Sequence, residues 1–240
     1  MTTIPFDIKD PYWAKIHPGM MNRIKHRLIL VRHGESESNV ELTTTGLTTE
    51  FNIDHKLTDI GKEQSHDVAT FLHKKGIDSI DRIEISPLYR AVQTALPCLK
   101  DCFGTDQIVN FGLREKYSKT AYACDIPLRD NVFVRHINFD SETMHSGRWW
   151  IREPDIDFEK RVNTLMDSWK TIGTVDERKQ TLVFTHSQLI SQLLSTDKSF
   201  HLANGSISVI DIDENNHLNV HMANYTAHLR IPTGMHTCIF

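Results

Sequence analysis

The residues best suited to chemistry are Arg32 and His33. They follow the apolar run Leu28-Ile29-Leu30-Val31 and precede Gly34-Glu35-Ser36. A short buried strand that stops abruptly at Arg-His-Gly delivers a cation and an imidazole into a tight loop. Gly34 lets the backbone approach a ligand closely there. A neutral imidazole can attack phosphorus and carry the phosphoryl group, which divides one difficult hydrolysis into two easier steps. The charge spread over the equatorial oxygens calls for fixed cations. Arg32 and Arg90 suit that task, because guanidinium forks match phosphate oxygens bidentately. Their charge also favours the neutral, nucleophilic form of His33. The leaving oxygen needs a proton and the attacking water must lose one; a single carboxyl of raised pKa can serve both steps, and Glu115 is the candidate. His186 would stabilise the group in transfer. Such a site needs no metal and no cofactor.

These side chains have to be positioned by elements that the sequence also marks. Leu28–Val31 reads as a first strand, Ile80–Ile85 as a second, Gln107–Phe111 as a third and Thr181–Thr185 as a fourth. Arg32-His33, Glu115 and His186 each stand where a strand gives way to a loop or helix. Thr58 is placed to cap a helix with an apolar stripe of Ile60, Val68, Phe71 and Leu72, closed by Gly76. Ser86 would cap a helix with Pro87 in its first turn, so that Arg90 projects near its start and Pro97 kinks it. Phe158, Val162, Leu165, Met166 and Trp169 give one face of a helix over 158–172. Residues 206–212 and 218–222 alternate as a terminal hairpin would. Strands alternating with helices predict an α/β fold: a three-layer αβα sandwich around a mostly parallel central sheet. In such sheets the site lies at the carboxyl ends of the strands.

The chain has 240 residues, with 39% hydrophobic and 24% charged residues and a formal net charge of −4. That length suits one domain over 1–240, with residues 1–26 as an N-terminal arm and 116–154 as an irregular, lid-like insertion. The charge gives no case for nucleic acid or an acidic membrane surface. No apolar run is long enough to span a membrane, and no secretion signal opens the chain, so a cytoplasmic protein is expected. Its four cysteines include no pair at zinc-ligand spacing and read as reduced thiols.

Taken singly, each site residue has a plainer reading. A strand-end histidine is more often structural than catalytic, and an arginine at a helix start is usually solvated. The ordered set carries more weight. Arg-His-Gly-Glu-Ser-x-x-Asn, Leu-Thr-x-x-Gly-x-x-Gln, Ser-Pro-Leu-x-Arg-Ala-x-Gln-Thr, Leu-x-Glu and a strand ending in Thr-His follow one another between residue 28 and about 195. In this order they resemble the histidine phosphatase superfamily, of phosphoglycerate mutase-like fold. The resemblance implies that His33 is phosphorylated and that Arg32, Arg90 and His186 form the phosphate pocket. It also implies that Asn39 contributes a side-chain contact and that Glu115 is the proton donor. Where the family often has Thr-His-Gly-Gly, this chain has Thr185-His186-Ser187-Gln188; the backbone amide of Ser187 can still face phosphate, and its hydroxyl is an added binding group. The loop over 40–56 lacks the Gly-Trp motif of the mutases, which favours a phosphatase. The expected activity is metal-independent hydrolysis of phosphomonoesters, on a small phosphorylated substrate or a phosphoprotein. The alternatives are a phosphomutase and a phosphate-recognising binding module without turnover.

Overall fold

The computed structural model describes residues 23–40, 54–74, 80–99, 105–116, 138–139, 153–195 and 202–233. The strands are β1 (Ile24–Arg32), β2 (Arg82–Ile85), β3 (Asp106–Val109), β4 (Asn138–Phe139), β5 (Lys179–Thr185), β6 (Ile207–Asp213) and β7 (Leu218–Tyr225). The helices are α1 (Asp59–Lys74), α2 (Tyr89–Leu99), α3 (Asp155–Lys170) and α4 (Ser187–Leu193), with a 3₁₀ turn at Phe111–Leu113. One seven-stranded sheet runs in the order β4-β3-β2-β5-β1-β6-β7. Neighbours from β4 to β1 are parallel, and β6 and β7 add an antiparallel edge. The mostly parallel three-layer architecture and the terminal hairpin follow the sequence.

Alternation along β1 divides the core. Ile29 and Val31 face a cluster with Val68 and Leu72 of α1 and Val92 and Ala95 of α2. Leu28 and Leu30 face the opposite cluster, with Phe158, Val162, Leu165, Met166 and Trp169 of α3 and Leu189 and Ile190 of α4. A strand has period two, so a central strand buried on both faces must be apolar throughout its middle. The stripe read on α3 is buried as expected.

Several boundaries differ from the sequence reading. β1 begins at Ile24, inside the stretch read as an arm. Its early polar residues hid it: Arg27 is buried in a bidentate pair with Asp211, and His26 lies between the Trp169 carbonyl and the Thr181 hydroxyl. The third strand ends at Val109, because Asn110 caps the 3₁₀ turn by accepting from the Gly112 N–H. Pro87 precedes α2 instead of occupying its first turn, and the Tyr89 N–H at the helix start is accepted by Asp54 Oδ1 at 2.7 Å. Thr58 does cap α1, accepting from the Gly61 N–H at 3.0 Å. Residues 1–22, Gly76 and, apart from its ends and β4, the insertion at 116–154 lie outside the described residues.

Candidate active site

The loop after β1 is the centre of the site. The His33 N–H donates to the Thr185 carbonyl of the neighbouring strand, and the Gly205 N–H donates to the His33 carbonyl. The imidazole is also fixed: its Nδ1 lies 2.7 Å from the Gly34 carbonyl. A carbonyl only accepts, so Nδ1 carries the proton and Nε2 carries the lone pair. Arg90 Nε donates to that Nε2 at 3.3 Å. Burial, then the charges of Arg90 and Arg32, hold the His33 pKa well below the ordinary imidazole value. His33 is therefore a neutral imidazole with one defined nucleophilic nitrogen.

His186 follows β5, its ring centroid 5.2 Å from that of His33. Its Nε2 lies 2.7 Å from Ser86 Oγ at the end of β2. Its Nδ1 is buried without a hydrogen-bond partner, and so is Arg32 Nε. The other end of the Arg32 guanidinium donates to the Leu202 carbonyl. Burial lowers the pKa of both groups, and Arg90 adds to the effect on each. Buried polar nitrogens left without partners are costly. An anion seated over His33 would accept from Arg32 Nε and, with the Ser86 hydroxyl donating to His186 Nε2, from the His186 Nδ1–H as well.

Glu115 follows the 3₁₀ turn and is half-buried. Its carboxylate accepts from the Lys116 N–H at 3.0 Å and the Gln188 N–H at 3.4 Å. Burial raises its pKa; those N–H groups and the charges of Arg90 and Arg32 oppose the rise. Arg32, His33, Arg90, Glu115 and His186, far apart in sequence, are thus gathered into one place. Asn39 and Ser187 are nearby, with part of their bonding directed at the protein. Asn39 Oδ1 accepts from the Ser36 N–H, the Ser36 hydroxyl and Asn204 Nδ2. Ser187 Oγ accepts from the N–H of Leu202 at 3.3 Å, the same residue whose carbonyl Arg32 uses.

The expectation for Gly34 needs correction. A Cβ there would lie 2.5 Å from the Gly61 carbonyl oxygen, and a Cβ on Gly61 would lie 2.0 Å from the Glu35 carbonyl oxygen. The glycine lets α1, not a ligand, reach the loop. Other motif residues, given no role from the sequence, are ties of the same kind. Gln64 Oε1 accepts from the Glu35 N–H at 2.8 Å. Thr94 Oγ1 accepts from the Gly34 N–H at 3.0 Å and donates to the Arg90 carbonyl at 2.7 Å. Gln93 Oε1 accepts from the Leu57 N–H at 2.8 Å. Their place in the ordered motifs was the available signal. Among the described residues, no group of three or more His, Cys, Asp or Glu side chains could hold a metal ion. No described helix is long and apolar enough to cross a membrane.

A fold with this sheet and this histidine pair defines a class. Residues 28–225 match the family model of the histidine phosphatase superfamily (branch 1), and the chain belongs to that family. Similar solved structures include a putative alpha-ribazole-5′-P phosphatase from Escherichia coli K-12, at 24% identity and a TM-score of 0.56, covering 83% of this chain and 97% of that one. A phosphoserine phosphatase from Entamoeba histolytica, solved with 3-phosphoglyceric acid, is 23% identical at a TM-score of 0.55, covering 85% and 99% of the two chains. A phosphoglycerate mutase from Bacillus anthracis is 18% identical at a TM-score of 0.59, covering 87% and 96%. At these identities the likeness shows the fold.

Proposed function

We propose that the protein is a metal-independent phosphatase that hydrolyses phosphomonoesters through a phosphohistidine at His33. The observation that carries this is the set of buried nitrogens around a neutral imidazole: Arg90 Nε donates to His33 Nε2 at 3.3 Å, with Arg32 Nε–H and His186 Nδ1 unpartnered beside it. A phosphoryl group would replace the contact between Arg90 and His33. His33 Nε2 then attacks phosphorus as the ester P–O bond breaks, and Arg32, Arg90 and His186 stabilise the charge on the equatorial oxygens. Protonated Glu115 gives its proton to the leaving oxygen, and the alcohol departs. In the second step the Glu115 carboxylate takes a proton from water, the water oxygen bonds to phosphorus, the P–N bond breaks and inorganic phosphate leaves. Asn39 and Ser187 border the phosphate, and the insertion at 116–154 sets the choice of substrate, a small phosphorylated molecule or a phosphoprotein.

The test is His33→Ala, assayed for phosphate release across a panel of aryl and alkyl phosphates, with trapping of labelled phosphoenzyme in the unaltered protein by an alkaline detergent quench, which spares the acid-labile P–N bond. Loss of turnover and of the trapped species is expected. Unchanged hydrolysis by the variant, or no phosphoenzyme in a turning-over enzyme, refutes the mechanism.

A further inference from the structure

The carboxyl of Glu115 depends on a short backbone segment, Asn110 to Glu115, that makes no strand or α-helix of its own. Its beginning is tied to the sheet: Glu84 accepts from Asn110 Nδ2 at 2.8 Å, and Thr185 Oγ1 donates to the Leu113 carbonyl at 2.7 Å. Its end is gripped from the other side. Arg161 of α3 sends Nη1 to the carbonyl of Gly112 and, at 3.0 Å, to the carbonyl of Arg114. The second of these belongs to the peptide that joins Arg114 to Glu115. The rest of the Arg161 fork is held by Glu153: Nε donates to Oε1 at 2.7 Å and Nη2 donates to Oε2. Arg114 Nη2 shares Oε1 at 3.1 Å. The Arg161 guanidinium also lies 5.1 Å from the centroid of the Phe158 ring. Side-chain exposure is 10% for Arg161 and 5% for Glu153. A buried ion pair contributes little net stability, so its stronger consequence here is geometric.

We propose that Arg161, oriented by Glu153, is the positioning residue for the acid at Glu115: it fixes the peptide from which the carboxyl projects. The inference rests on the reading of Glu115 as the proton donor. Only a planar fork with several donors can hold a carboxylate edge and two carbonyls together, so lysine is not an equivalent. Removing Arg161 leaves Glu115 present but misplaced. Proton donation then suffers and the attack of His33 does not.

That difference sets the experiment. An alkyl phosphate, such as glycerol phosphate, needs a proton on its leaving oxygen, whereas dinitrophenyl phosphate releases a stable phenolate without one. In the full chain, Arg161→Gln is expected to lower kcat/KM for the alkyl ester by about 10- to 100-fold, and for the dinitrophenyl ester by no more than about threefold. Arg161→Lys and Glu153→Gln should show the same selectivity. Adding Arg161→Gln to Glu115→Gln should cost nothing further in kcat/KM for the alkyl ester, because both changes remove the same proton donation. Equal losses on both esters, full activity in Arg161→Lys, additive effects in the double variant, or unfolding of all three single variants would each overturn the proposal. If Glu115→Gln itself lowers kcat/KM for both esters equally, the acid assignment fails. Selectivity in Glu115→Gln with none in the Arg161 variants refutes the positioning role alone.

Discussion

Gly61→Ala sets two physical effects against each other at one atom. Gly61 is the third residue of α1, and alanine is the better helix former by about 1 kcal/mol. On propensity alone the variant gains stability. The new methyl, however, would stand 2.0 Å from the Glu35 carbonyl oxygen, where contacts below 3.0 Å are essentially never found. The backbone of Glu35 or of α1 must therefore yield by about 1 Å, and overpacking of this kind costs roughly 1–3 kcal/mol. The net expectation is a loss of about 0–2 kcal/mol in urea unfolding, with the steric cost outweighing the propensity gain. Activity should suffer far more. Glu35 is two residues beyond His33, and a displacement of about 1 Å at a reacting group can cost about 100-fold. The assay pairs the urea midpoint with kcat/KM for phosphate release. A variant that is more stable and fully active would refute the view that α1 holds the loop of His33 through this contact.

Three further outcomes are expected. Because His33 is held well below the ordinary imidazole value and Glu115 above the ordinary carboxyl value, kcat/KM for an alkyl phosphate should not fall as pH drops through the usual imidazole range. It should decline as pH rises past the Glu115 pKa, and Glu115→Gln should abolish that alkaline limb in a pH–rate profile. His26 is buried with a pKa near 4 against 6.5 when unfolded, so the unfolded chain binds the extra proton and stability falls as pH drops from 6.5 towards 4. The loss is about 3 kcal/mol, and urea unfolding of His26→Gln should show a correspondingly weaker pH dependence; an identical slope would refute the linkage. Thr94→Val removes the acceptor for the Gly34 N–H and the donor to the Arg90 carbonyl, so a loss of about 1–3 kcal/mol is expected, with reduced kcat/KM; unchanged values for both would refute this role.

The site was legible where one short stretch held the whole message. The run from Leu28 to Gly34 states a buried strand and what it delivers, and the α3 stripe states its face through period alone. What escaped the sequence needed a partner far along the chain. Arg27 in a strand looks like surface until Asp211 arrives from β6. Gly34 looks like a ligand-facing glycine until Gly61 occupies the space. Arg161 looks like an ordinary helical arginine, because the carbonyls it holds belong to Gly112 and Arg114. Periodicity reports burial, and it reports nothing about which backbone a polar side chain will meet.

The place of β1 in the sheet has a consequence for synthesis. Val31 pairs with Phe184 on one side and with Ile207 on the other. β1 therefore waits, with its apolar residues unpaired, until β5 and β6 have been made. Such long-range pairing folds slowly and leaves a sticky segment for chaperones to shield. A nascent chain that has not yet made β5 and β6 also lacks His186, so the buried cluster around His33 cannot assemble before both strands are in place.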